Sequence, residues 1–160
     1  MHPILLYLGL SLACLLGAGQ VQPAHAQQVS ISSLINYPFG AVLNSSGQQD
    51  VNDNLCFYRS NNPRRARFRA TGSGAGGAFT LASGGNTLTY QVFLNNNSGT
   101  VGEAQLTAGV FRNYSLNSLS TQTCGSGLNG NLHIRIPSAN LQAAKAGIYT
   151  GTVTVLMEPY

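Results

Sequence analysis

Apolar and polar positions alternate along much of this chain, with the two-residue period of strands that bury one face. Leu88, Tyr90, Val92 and Leu94 share one parity, while Thr87, Thr89 and Gln91 fall on the other. Leu132, Ile134 and Ile136 alternate with His133 and Arg135, which places the histidine on an outward, solvated face. Residues 148–157 read as one long strand, with Tyr149, Val153, Val155 and Met157 opposing Thr150, Thr152 and Thr154. Weaker strand patterns cover residues 29–35, 51–58, 64–71, 78–81 and 104–111. Clusters of Asn, Ser and Gly at 44–47, 84–86, 95–99 and 125–130 supply the turns between them. Only residues 139–146, between Pro137 and Gly147, suit a turn or two of helix. Short strands at this rhythm, without a repeat or a linker, predict one all-β domain built as an antiparallel β-sandwich.

The amino-terminal segment stands outside that pattern. Residues 4–16 are an almost unbroken apolar run, and Ala24-His25-Ala26 has the small-residue form of a cleavage site. We therefore expect a signal peptide over residues 1–26 and a single domain over residues 27–160. Met1-His2-Pro3 departs from the usual pattern in having no Lys or Arg ahead of the apolar run. The run is shorter than the roughly 20 residues a membrane-spanning helix needs, so stable membrane insertion is not expected.

Composition narrows the chemistry. Eight basic residues face four acids, Asp50, Asp53, Glu103 and Glu158, leaving a formal net charge of +4. After cleavage two cysteines remain, Cys56 and Cys124, and in an oxidising exported compartment such a pair reads first as a disulfide. Two buried free thiols are the alternative. Catalysis lacks an inventory, because His133 is the last histidine left and has no partner in sequence to make it a base. Asp50 and Asp53 with Asn52 and Asn54 match no calcium-loop spacing, and one histidine cannot build a transition-metal site. No enzyme activity, metal or cofactor is expected.

Two motifs need their context weighed. Residues 72–77 satisfy GxGxxG as a string, but a strand pattern rather than a helix follows, and no acid lies some 20 residues on. A glycine-rich turn is the expected structure. Arg64 and Arg65 are followed by Arg67 and Arg69, alternating with Ala66, Phe68 and Ala70. On a strand this aligns Arg65, Arg67 and Arg69 on one face, as a contact for an anion or glycan or as a plain solvated face. Without an aromatic ladder beside the arginines, and with export expected, nucleic acid is not a predicted partner.

Taken in order, several blocks resemble the spore coat protein U domain, a family related to the pilins of archaic chaperone–usher fibres. They are Tyr37-Pro-Phe-Gly40, Leu55-Cys-Phe-Tyr58, the stretch from Arg67 through the glycines to Leu81, Leu88-Thr-Tyr-Gln-Val92, Cys124-Gly-Ser-Gly, Leu132-His-Ile-Arg-Ile136, and the ending from Ala146 to Val155. The resemblance implies an immunoglobulin-like sandwich that can be incomplete, lacking one strand of its own. It also implies a subunit of a fibre or coat, with roles in assembly, adhesion or biofilm. The implied partners are a periplasmic chaperone, an outer-membrane usher and other pilin or coat subunits, and the implied location is the periplasm in transit and then the cell surface. The physical route is β-strand addition, in which main-chain hydrogen bonds pair an incoming strand and its alternate side chains fill an apolar groove. Only Gln27 and Gln28 separate the expected cleavage site from the run at 29–35. We read that run as the domain's own first strand, so that the chain would accept a strand without giving one; the alternative, that 29–35 is itself a donor, stays open at this point. A monomeric secreted module binding glycan or anions is the competing expectation.

Overall fold

A computed structural model describes residues 27–39, 47–60, 65–116, 122–125 and 127–160. The expected signal peptide, Arg64 and the turn at 44–46 lie outside the described residues. Ten strands form: β1 (Val29–Ser32), β2 (Gln49–Arg59), β3 (Arg65–Gly72), β4 (Thr80–Ser83), β5 (Asn86–Thr89), β6 (Gln91–Asn95), β7 (Ala104–Gln105), β8 (Arg112–Ser115), β9 (Gly130–Ile136) and β10 (Val153–Pro159). One short helix, α1 (Ser138–Ala143), follows Pro137. Every pairing is antiparallel. A five-stranded sheet has the order β1-β2-β9-β6-β7, a three-stranded sheet has β10-β3-β8, and β4 and β5 form a hairpin. The fold is an all-β, immunoglobulin-like antiparallel sandwich.

Alternation builds the core between the sheets. Leu55 and Phe57 on β2, Val92 and Leu94 on β6, and Leu132, Ile134 and Ile136 on β9 face Ala66, Phe68 and Ala70 on β3 and Met157 on β10. The Phe57 and Phe68 rings meet across the layers with centroids 4.7 Å apart, and Tyr114 of β8 meets Phe68 edge-on. Such aromatic contacts add about 1 kcal/mol to the burial of the rings themselves. Close approach demands glycine at position 130, where a Cβ would lie inside the Phe57 ring.

Several elements depart from the sequence expectation. The strand at 29–35 stops at Ser32 because Ser33 takes the left-handed conformation, with φ +68°. The run at 88–94 is split at Tyr90, whose N–H donates to the Phe79 carbonyl and so leaves the sheet ladder. Of residues 104–111 only Ala104–Gln105 is strand, and β8 follows where the sequence pattern was too polar to mark one. The expected strand at 148–157 begins only at Val153, since Thr150 exchanges main-chain hydrogen bonds with Ala82 instead. The glycine-rich stretch after β3 is a turn, with Gly76 and Gly77 at φ +66° and +82°, and it leads into strand β4, which removes the helix terminus a phosphate loop requires.

Candidate functional site

The two sheets do not close on each other along one seam. β1 and β10 lie beside one another, each at the edge of its own sheet. Past them, segment 33–39 on one side and segment 144–152 on the other leave an open cleft of about 880 Å³. Its floor is the core itself, including Leu88, Tyr90, Leu132, Ile134 and Ile136. Along its rim Leu34, Ile35 and Ile148 are 56%, 57% and 85% exposed, an unusual placement for large apolar side chains so close together. The Tyr37 hydroxyl is buried in the wall without a hydrogen-bond partner among the described residues. Burial, aided by the negative charge of Asp53, pushes that phenol up to about 12. Tyr90 is also raised by burial, and its hydroxyl donates to the Thr152 carbonyl at 3.3 Å.

The outer face of the five-stranded sheet has a different character. Cross-strand rows place Asp50, Arg135 and Gln91 side by side, then Asn52, His133 and Phe93, then Asn54, Asn131 and Asn95. His133 does point away from the core, as its parity requires, but it is only 3% exposed, which corrects the expectation of a solvated histidine. The cause is the loop between β6 and β7, which folds over the face. Asn95 donates to the Gly99 and Val101 carbonyls, Gly99 N–H donates to Asn54, and Asn131 donates to Asn52 and Asn54. Glu103 from that loop lies 2.8 Å from His133 Nδ1, while Asp50 lies 2.7 Å from Nε2. Each ring nitrogen thus faces a carboxylate. Arg135 donates to Asp50 at 2.7 Å and rests over the Phe93 ring, which stacks on His133. Burial alone would raise the Asp50 carboxyl, but hydrogen bonds from Arg135, Gln48 and His133 outweigh it and hold Asp50 below the usual carboxylate range. Both ring nitrogens lie within hydrogen-bond distance of a carboxylate, and no metal-binding cluster occurs among the described residues.

The predicted site residues are placed as follows. Cys56, at the end of the same outer face, is joined to Cys124 by a disulfide, with Cα atoms 5.7 Å apart. Beside it the Asn129 side chain accepts from Phe57 N–H and donates to Phe57 carbonyl, so it stands in for a neighbouring strand. Arg65, Arg67 and Arg69 lie together on the outer face of the three-stranded sheet, with Ala66, Phe68 and Ala70 fully buried beneath. Phe111, just before β8, and Glu158 of β10 join them and had no sequence signal, because the pairing of those strands with β3 is not visible in the chain.

The chain belongs to the Spore Coat Protein U domain family, whose model matches residues 15–156. Among solved structures it is similar to a chain of a chaperone–tip adhesin complex of CFA/I fimbriae biogenesis, at 19% identity and a TM-score of 0.54. That likeness covers 82% of this chain and 42% of the other, and it concerns the fold. No curated protein matches the sequence. Among the described residues no helix is long and apolar enough to cross a membrane.

Proposed function

We propose that this protein is an exported structural or adhesive subunit of a surface fibre or coat, joined to its neighbours by β-strand donation on a chaperone–usher route. The observation that carries this reading is the open cleft: its floor is the hydrophobic core, and among the described residues β10 along its margin is hydrogen-bonded in a sheet only to β3. An unpaired strand edge beside exposed apolar residues such as Leu34, Ile35 and Ile148 is a liability in a free chain and the requirement for accepting a strand. Membership of the spore coat U family supports the assignment, as does a fold shared with a chain from a chaperone–adhesin complex. In this reading a periplasmic chaperone fills the cleft first, an outer-membrane usher exchanges it for a neighbouring subunit, and β1, already paired with β2, leaves the chain on the accepting side. The protein is not an enzyme in this reading, and His133 serves the outer face by meeting a carboxylate at each ring nitrogen.

A strand-length peptide that alternates Val or Ile with Thr tests the reading. Titrated into the exported protein, it is expected to give a one-to-one complex by native mass spectrometry. At a hundredfold excess over its dissociation constant the added stability is about 3 kcal/mol. A scrambled peptide without alternation should do neither. A monomer that ignores both peptides at saturating concentration would overturn the assignment.

A further inference from the structure

We propose that the outer face of the three-stranded sheet is a binding surface for an acidic polysaccharide. The face shares no residue with the cleft, so the proposal stands independently of strand donation. Arg65, Arg67 and Arg69 sit at alternate positions of β3, about 7 Å apart along the strand. Arg112 on β8 does not join them, because its register partner is Phe68 and its guanidinium lies over the Tyr114 ring on the other side of the sheet.

Carboxylates are too few to neutralise them. Of the four acids in the chain, Asp50 and Glu103 are engaged by His133 and Arg135 on the opposite sheet, and Asp53 lies on β2 with its charge felt by Tyr37. Glu158 alone reaches this face, where it pairs with Arg67 at 2.7 Å. Three positive charges against one negative leave a net of two on this face, out of +4 for the whole chain.

The guanidinium groups are also held in place. Those of Arg67 and Arg69 lie 4.3 and 4.8 Å from the centroid of the Phe111 ring, so part of the ordering cost of a bidentate contact is already met by the fold. Around them Thr71, Asn113, Ser115 and Thr154 offer uncharged hydrogen-bonding groups on the same face. A dent of about 150 Å³ at this sheet is lined by Arg65, Asn113, Tyr114, Ser115 and Tyr160. That is too small for an enclosed ligand of ordinary size, whereas a repeating polyanion can use several arginines at once. The Phe111 ring is covered by guanidinium groups and is not itself free for a nucleic acid base to stack on.

The test measures retention of the exported protein on polygalacturonate and dextran sulfate, with neutral dextran as control, across a salt series. Binding to both charged polymers and not to neutral dextran is expected, weakening as salt rises. Arg65→Gln with Arg69→Gln should cost at least about tenfold in affinity and flatten the log–log salt dependence by roughly two charges' worth. Phe111→Leu, which leaves the charge unchanged, should weaken binding a few fold. Lys145→Gln removes one charge from the cleft side and should have little effect. Thermal melts confirm that each variant is folded. The proposal is overturned if Lys145→Gln lowers affinity as much as Arg69→Gln alone, if neutral dextran binds equally, if neither polyanion binds, or if an oligonucleotide of matched charge binds more tightly than polygalacturonate.

Discussion

Replacing Cys56 and Cys124 together by alanine should remove about 4 kcal/mol of stability. The bridge joins residues 68 apart in sequence, and closing a loop of that length reduces the entropy of the unfolded chain by an amount worth about 4 kcal/mol at room temperature. Domains of this size are stable by only about 5–15 kcal/mol, so the change would move the melting temperature by roughly 15 °C. Both cysteines are buried, at 0% and 4% exposure, so alanine also leaves a small packing defect. Reducing the unaltered protein keeps both sulfurs in place and separates the two contributions. Guanidinium titration followed by circular dichroism is the assay. Because the crosslink acts on the unfolded ensemble, both perturbations should raise the denaturant slope as well as lower the midpoint. If the double variant and the reduced protein both stay within about 1 kcal/mol of the oxidised protein with an unchanged slope, the loop-closure account fails.

Two further outcomes follow from positions already described. Gly130→Ala forces a methyl group into the Phe57 ring and should cost about 1–3 kcal/mol by chemical denaturation, whereas Gly85→Ala, which meets nothing within 4 Å, should change stability by less than about 1 kcal/mol. Asp50 is depressed in the folded state, so its contribution is present above the unfolded carboxyl value near 4 and is lost as pH falls through the lower folded value. Asp50→Asn should therefore be less stable than the parent by about 1 kcal/mol between pH 5 and 7, a gap that closes on acidification; a gap that persists or widens at low pH would contradict the network.

The strand faces were legible wherever alternation ran long enough against a single opposing layer. Leu132, Ile134 and Ile136 show this well, since their parity names the buried face correctly. The same rule named the direction of His133 correctly and its environment wrongly, because period two says which face a residue occupies and nothing about what covers that face. The cover here is an Asn- and Gly-rich loop whose bonds to Asn54 and Asn95 exist only once β2, β9 and β6 are side by side. Residues 148–152 carry the same alternation as Val153–Pro159 yet are not strand. Gly147 and Gly151 let that segment press against Ser83, Leu81 and Ser73, closer than a side chain would permit. The arginine face was readable on β3 alone. Its balance of charge was not, since that depends on where the only four carboxylates end up in space.

The opening between the sheets does not come from any shortage of apolar residues. Leu34, Ile35 and Ile148 are available at its rim and are left exposed. What holds the seam apart is backbone geometry on both sides. On one side the positive φ of Ser33 turns the chain out of β1 before a longer strand can form. On the other, the paired bonds between Thr150 and Ala82 tie the approach to β10 onto the β4–β5 hairpin. The opposite end of the seam is fastened, because the buried guanidinium of Arg59 donates to the carbonyls of Arg65 and Tyr160 and to the Gln27 side chain. The sandwich is thus pinned where β1 meets β10 and kept from closing farther along, which fixes the width of the cleft. For the strand donation proposed above, a preformed groove would spare the incoming strand the cost of ordering its acceptor, so that the binding energy of its alternate side chains is retained.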